Sequence, residues 1–236
     1  MRWGPPAVVL LLLAGTAIAF ATTERQKLER TPFAVLRLDT VLSPVCKCRT
    51  SRATISLRFR QKHVFTARIL DEDGRIVRRL TSEQVVGKGT LNVSWDGRND
   101  AGRRVPDGEY SPRLILDNGR VFDPPNPIRV DSVAPETTLV SYRPRVLKRA
   151  KKERLHVRYR VSESAHPILY VNGHQAVLGI GTALSGKFDW FGRRDGERLR
   201  PGRYRLQLAA VDLAGNVGTA VGTLEVLKPK KRKRTR

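Results

Sequence analysis

The chain has 236 residues, 40% of them apolar, enough for two domains of about 100 residues that each bury a modest core. Lys and Arg number 45 against 22 Asp and Glu, a formal net charge of +23, so an anionic partner or surface is implied; nucleic acid, anionic lipid and anionic wall polymer all qualify. Two cysteines, Cys46 and Cys48, are too few for a disulfide framework.

The chain opens on an apolar run, Pro5 to Ala21, interrupted by nothing charged and without amphipathic period. Ala19-Phe20-Ala21 has the small-x-small form of a cleavage site, and the charged, helix-friendly stretch Thr22 to Arg30 follows. Residues 1–30 therefore read as a signal peptide or a transmembrane anchor with a short helical extension. Arg25, Lys27 and Arg30 behind the run, against Arg2 before it, count toward a cytoplasmic body. An apolar N-terminal segment ahead of an all-β body is the layout of an exported protein, and export is the expectation adopted: a single-pass membrane protein with an extracytoplasmic body, or a secreted one if the leader is cleaved.

Residues 31–131 form the first predicted unit. Thr31 to Arg49 reads as an extended lead-in ending in an edge strand, because Pro44 cannot donate to a ladder. Cys46-Lys47-Cys48 falls in the next turn. It lacks zinc-site spacing, and a disulfide across one residue is strained, so the pair reads as small turn residues or an exposed redox pair without catalytic function. From Ala53 apolar and polar residues alternate: Ile55, Leu57 and Phe59 face one way, Ser56, Arg58 and Arg60 the other. A second strand, Val64 to Leu70, turns at Asp71-Glu72-Asp73-Gly74.

The stretch Trp95 to Tyr110 organises the unit. Asp96, Asn99 and Asp100 are able to hydrogen-bond the backbone locally, Gly97, Gly102 and Gly108 to take positive φ, and Pro106 presets a turn. The aromatic ends, Trp95 and Tyr110, are predicted to lock two facing sheets. Strands near Leu114 and Ile128 close the unit.

Asp131 to Glu136, with Pro135, joins it to a second unit, residues 132–227. A basic loop at Arg143 to Lys152 precedes the alternating strand Leu155 to Val161. The tryptophan pattern then returns: Trp190, Gly192, Pro201, Gly202 and Tyr204 repeat the skeleton, with Phe191 where the first copy has Asp96. A tight connection, Val211 to Gly218, leads to the last strand, and residues 228–236 form a basic tail expected to be disordered. The fold class expected is all-β: two tandem Ig-like β-sandwiches after an N-terminal hydrophobic helix.

The Trp-Asp-Gly-x-x-Asp-x-Gly to Pro-x-Gly-x-Tyr pattern of Trp95 to Tyr110 resembles the Ig-like domain of the flagellar hook-capping protein (FlgD) type. Val211-Asp212-Leu213-Ala214-Gly215-Asn216 is similar to the closing hairpin of bacterial Ig-like repeats. The resemblance implies a fold and a place in bacterial envelope or secreted proteins; on function it is nearly silent.

No catalytic constellation accompanies it. Gly181 to Lys187 fits the start of a phosphate-binding loop, but Phe188 stands where the Mg2+ hydroxyl belongs and a strand follows where a helix is needed. Asp96 to Gly102 has carboxylates near calcium-loop spacing, but Arg98 holds a ligand position and the bidentate Glu is missing. His63, His156, His166 and His174 are scattered. No metal, cofactor or enzymatic activity is expected. What remains is charge: Lys148, Arg149, Lys151 and Lys152 in the basic loop, Lys230, Lys231, Arg232, Lys233 and Arg234 in the tail, and outward arginines at 58, 60, 158, 160, 203 and 205. The predicted role is a structural or binding module of the cell envelope, tethered to the membrane by its N-terminal helix, contacting anionic wall polymer, lipid headgroups or other envelope proteins. The alternative is a nucleic-acid-binding protein facing the cytoplasm. Few aromatics interleave with the basic runs, which makes nucleic acid the weaker choice.

Overall fold

The computed structural model describes residues 12–17, 32–148 and 153–228. Residues 12–17 are helical. The rest of the predicted leader, Arg149 to Lys152 in the basic loop and the tail from residue 229 lie outside the described residues. Among those described, no helix is long and apolar enough to cross a membrane.

The remainder is strand and turn, apart from a single 3-10 turn at Arg49–Ser51. The N-terminal half contains β1 (Phe33–Leu38), β2 (Val41–Leu42), β3 (Ala53–Phe59), β4 (His63–Leu70), β5 (Ile76–Val86), β6 (Gly89–Trp95), β7 (Gly108–Leu116), β8 (Val121–Phe122) and β9 (Ile128–Val130). The C-terminal half contains β10 (Thr137–Arg143), β11 (Val146–Lys148), β12 (Leu155–Val161), β13 (Ala165–Val171), β14 (His174–Leu178), β15 (Ser185–Trp190), the two-residue pair β16 (Arg193–Arg194) and β17 (Glu197–Arg198), β18 (Gly202–Asp212) and β19 (Val217–Leu227).

The strand orders of the halves match. A three-stranded sheet runs β1-β3-β6 in one and β10-β12-β15 in the other. The larger sheet runs β2-β9-β7-β4-β5, with β8 beside β7, and correspondingly β11-β19-β18-β13-β14. In each half the opening segment divides. β1 and β10 pair with the small sheet, and after a bulge β2 and β11 cross over to pair in parallel with the last strand of the large one. This corrects the expectation that Thr31 to Arg49 is mainly a lead-in: Phe33 pairs opposite Phe59, so β1 is a full edge strand.

Period-two alternation builds the sheets of both halves. Ile55, Leu57 and Phe59 of β3 are buried, as are Leu155, Val157, Tyr159 and Val161 of β12, while Arg58, Arg158 and Arg160 point outward. The N-terminal core has two parts. One gathers Phe33, Phe59, Phe65 and Leu114; the other surrounds Trp95 with Leu42, Ile69, Tyr110, Ile128 and Val130. Trp95 belongs to the small sheet and most of its neighbours to the large one, so the indole lies between the two sheets. Trp190 does the same in the C-terminal core, among Leu147, Leu199, Leu206 and Val226.

The two tryptophan turns agree bond by bond. The Trp95 indole N–H donates to the Arg98 carbonyl at 2.9 Å, and that of Trp190 to the Arg193 carbonyl at 3.1 Å. The Val105 amide donates to the Gly97 carbonyl, and the Leu199 amide to the Gly192 carbonyl. The Tyr110 hydroxyl returns to the Pro106 carbonyl at 2.9 Å, and that of Tyr204 to the Arg200 carbonyl at 2.8 Å, the corner that fixes a tyrosine at the start of an Ig-type strand. Gly97 has φ +71, and a side chain there would meet Leu42 and Pro44 at 3.2 Å, so both its backbone and its position call for glycine. Pro201 precedes Gly202 at the start of β18, as Pro106 and Gly108 precede Tyr110 in β7.

Candidate functional site

The Asp and Asn side chains of Asp96 to Gly102 serve the turn. Asp96 accepts the Arg98 amide, Asn99 accepts the Arg103 amide at 3.0 Å, and Asp100 accepts the Arg79 amide at 2.8 Å and pairs with its guanidinium. They are spent on backbone donors rather than pooled for a cation. The phosphate-loop lookalike is likewise structural: Ser185 to Trp190 is strand β15, and Gly186 lies where a Cβ would stand 2.4 Å from the Tyr159 hydroxyl oxygen, so its role is to admit that ring.

The outward arginines do not form one stripe. Arg58 lies on the small sheet of the N-terminal half, Arg158 and Arg160 on that of the C-terminal half, and Arg203 and Arg205 on the large sheet of the C-terminal half. Positive charge concentrates on the outer face of β10-β12-β15. There Arg158 stands between Ser141 of β10 and Lys187 of β15, and His156 between Arg143 and Asp189. Arg158 and Lys187 are like charges directly opposite each other, a pairing that costs stability unless an anion relieves it. Arg143, Arg158, Arg160 and Lys187 are exposed, and no carboxylate pairs with them among the described residues.

Asp189 is the acidic group of this face, and it is occupied. His156 Nδ1 lies 2.7 Å from one carboxylate oxygen and the Arg154 guanidinium donates to the other at 3.0 Å. The hydrogen bond with His156, and after it Arg154, hold the Asp189 carboxyl below the ordinary range. Arg154 also lies over the exposed ring of Phe191 at 5.6 Å.

Beside this face an open groove of about 750 Å3 runs along β10, lined by Leu139 to Arg145 and His156. Arg145 lies over the Tyr142 ring at 5.3 Å, and the Tyr142 hydroxyl accepts the Thr223 amide from the opposite sheet at 3.2 Å. Of the predicted anion-binding residues, Lys148 is described: it ends β11 and is exposed, a short step beyond the groove. Arg149, Lys151, Lys152 and Lys230 to Arg234 lie outside the described residues.

Sequence reasoning missed a second cluster, at the junction of the halves. Asp131 follows β9, Glu163 lies between β12 and β13, and Asp212 ends β18; their carboxylate oxygens lie within 4.8 Å of one another. Spacings of 32 and 49 residues left no local signal to read. Oxygen ligands so gathered suit a hard cation, and these three are the described residues with that geometry. Asp212 is buried and already accepts the Asn216 backbone amide and side-chain amide, both at 2.9 Å.

Burial, and after it the facing Asp131 and Asp212, pushes the Glu163 carboxyl above its ordinary range, with Arg129 opposing. Between the ordinary value and the raised one the folded chain holds more protons than the unfolded chain, so stability falls as pH rises through that window. The penalty is complete above it. Glu163→Gln is therefore expected to raise the Tm at neutral pH by on the order of 1–2 °C, a part-exposed group being screened by solvent. The gain over the parent should shrink as pH falls through the raised window and be gone below the ordinary carboxylate value, which thermal melts across pH would show.

No curated protein sequence matches the chain. Among solved structures, an adhesin described as Ca2+-stabilised, which helps an Antarctic bacterium reach out and bind ice, is 13% identical, with 86% of this chain and 51% of that one covered at a TM-score of 0.36. The chain thus spans about half of that protein's solved length. A three-Ig fragment of titin, domains I67–I69, is 12% identical over 88% of this chain and 70% of that one, TM-score 0.38. The structure of FlgD from P. aeruginosa is 14% identical over 56% of this chain and 80% of that one, TM-score 0.27. At the level of sequence, residues 50–118, from the 3-10 turn to the turn that follows β7, match the FlgD Ig-like domain.

Proposed function

We propose that the chain is a non-enzymatic binding or structural module of the cell envelope, built of two tandem Ig-like repeats over residues 31–131 and 132–227. Its C-terminal repeat engages an anionic polymer or lipid headgroups through the β10-β12-β15 face. The apolar N-terminal run anchors or exports it, leaving the body outside the cytoplasm. The all-β architecture and the FlgD Ig-like match support a module without catalysis.

The observation that carries the reading is the opposed pair Arg158 and Lys187, flanked by Arg143 and Arg160 on a face whose carboxylate is already engaged. An anion bridging such a pair gains attraction and removes a like-charge contact in one step. The triple variant R158A/R160A/K187A is expected to bind a sulfated or phosphorylated polymer, such as heparin or wall teichoic acid, about tenfold more weakly at low salt, the difference narrowing at high salt. Unchanged retention on the immobilised polymer, with the fold intact by circular dichroism, would remove this face from the account. Tighter binding to duplex DNA than to either polymer would favour the nucleic-acid alternative.

A further inference from the structure

Beyond anion binding, the seam between the halves contains a disulfide that this role does not use. Cys46 and Cys48 are joined in a disulfide, which closes the loop between β2 and β3. This loop receives the tip of the β18–β19 hairpin from the other half. The Thr50 hydroxyl donates to the Ala214 carbonyl, and Cys48 Sγ lies 3.8 Å from the same oxygen. The buried Ser43 hydroxyl donates to Asn216 Oδ1 at 2.5 Å, and the Cys46 amide donates to Ser43 Oγ at 3.2 Å. Gly215 fits because it lacks a side chain: a Cβ there would stand 2.4 Å from Cys48 Sγ, 2.8 Å from Thr50 Oγ1 and 3.6 Å from Cys46 Sγ. Both sulfurs therefore form the wall against which the second half seats.

The geometry points to a second function for this wall: Cys46–Cys48 is a thiol–disulfide exchange site for a protein or small-molecule dithiol, and its reduction unseats the C-terminal half. Cys48 is exposed, which gives an attacking thiolate access, and Lys47 and Arg49 beside it supply positive charge to a thiolate formed there. In the first step one thiolate of the dithiol attacks Cys48 Sγ; the S–S bond breaks and Cys46 leaves as a thiolate that takes up a proton. The second thiol of the partner loses its proton and attacks its own sulfur in the mixed disulfide, releasing Cys48 as a thiolate that is then protonated. The dithiol is oxidised by two electrons and this chain gains two thiols. Two unbonded sulfurs cannot stay at bonding distance. They must move apart within a wall that leaves no room for even one added carbon at Gly215.

The test uses the full chain, purified under air, with dithiothreitol as the probe dithiol. Thiol counting by alkylation and mass spectrometry is expected to find no free thiol before treatment and two after it, without denaturant. On reduction, amide exchange of peptides spanning Asp212 to Asn216 should accelerate about tenfold, and small-angle scattering should show a broader spread of inter-half distances. Exchange in the sandwich cores should be unchanged. C46S/C48S should behave as the reduced chain whatever the redox state, and G215A should be loosened even when oxidised. Should the double variant fail to fold, dithiothreitol on the parent chain gives the same reading. Two free thiols in the air-purified chain, a disulfide that resists millimolar dithiothreitol under native conditions, or identical hairpin exchange in both states would overturn the inference. None of these results bears on polymer binding by the β10-β12-β15 face.

Discussion

Trp95→Ala is expected to destabilise the N-terminal half by about 3–5 kcal/mol, the range for removing a fully buried large aromatic. Trp95 is 1% exposed, and its ring meets that of Tyr110 edge-on at a centroid distance of 5.1 Å. Truncation opens a void between the sheets, removes the aromatic pair, and leaves the Arg98 carbonyl without its indole donor. A loss of this size is a large fraction of a domain's net stability, so this half should unfold at ordinary temperature or close to it. The C-terminal half has its own core around Trp190 and should keep its transition. Calorimetry of the variant should therefore show one transition lowered or lost and the other retained, with Trp190→Ala giving the reverse. A single transition that shifts as a whole in both variants would show that the halves fold as one unit.

Asn216→Ala is expected to produce the largest effect at the junction, about 1–3 kcal/mol, because one buried side chain connects three segments. Its amide donates to the Asp131 carbonyl at 3.0 Å and to the Asp212 carboxylate at 2.9 Å, while its oxygen accepts from Ser43 at 2.5 Å. Alanine leaves the buried Ser43 hydroxyl and one oxygen of the buried Asp212 without these partners. Asn216→Asp keeps the shape but adds a carboxylate next to Asp212, and should be worse than alanine at neutral pH and recover as pH falls. Urea unfolding of both variants at two pH values would read this out. Equal stabilities for alanine and aspartate at neutral pH would show that the seam is open to solvent.

Much of the fold was legible because sandwich strands carry their period in the sequence. Ile55, Leu57 and Phe59, and Leu155, Val157 and Tyr159, alternate so regularly that the inner and outer faces follow without a structure. The tryptophan turns were legible for another reason: their hydrogen bonds close within about ten residues, so glycine, proline and aspartate at fixed offsets carry the whole motif. The weaker readings were at edges. Phe33 to Leu38 lacks strict alternation, as an edge strand with a bulge and a mostly exposed body does, and was read as a lead-in. Glu83 at φ +48 lies within β5, a long edge strand with irregular register, which gave little pattern to follow after the Asp71 to Gly74 turn.

The charged site divides along the same line. That Arg58, Arg158, Arg160, Arg203 and Arg205 face outward was set by alternation alone. Which of them share a face depends on strand order, and β12 and β18 belong to different sheets, so tertiary structure separated Arg158 and Arg160 from Arg203 and Arg205 and brought Lys187 opposite Arg158. The sequence by itself determined the alternation, the turns and the repeated tryptophan skeleton, because each is a local interaction between residues a few positions apart. Only the folded chain decided the junction, where Ser43, Cys48 and Asp131 meet Glu163, Asp212, Gly215 and Asn216 across up to 173 residues, since contacts of that span are fixed by how the sheets pack and leave no period in the chain.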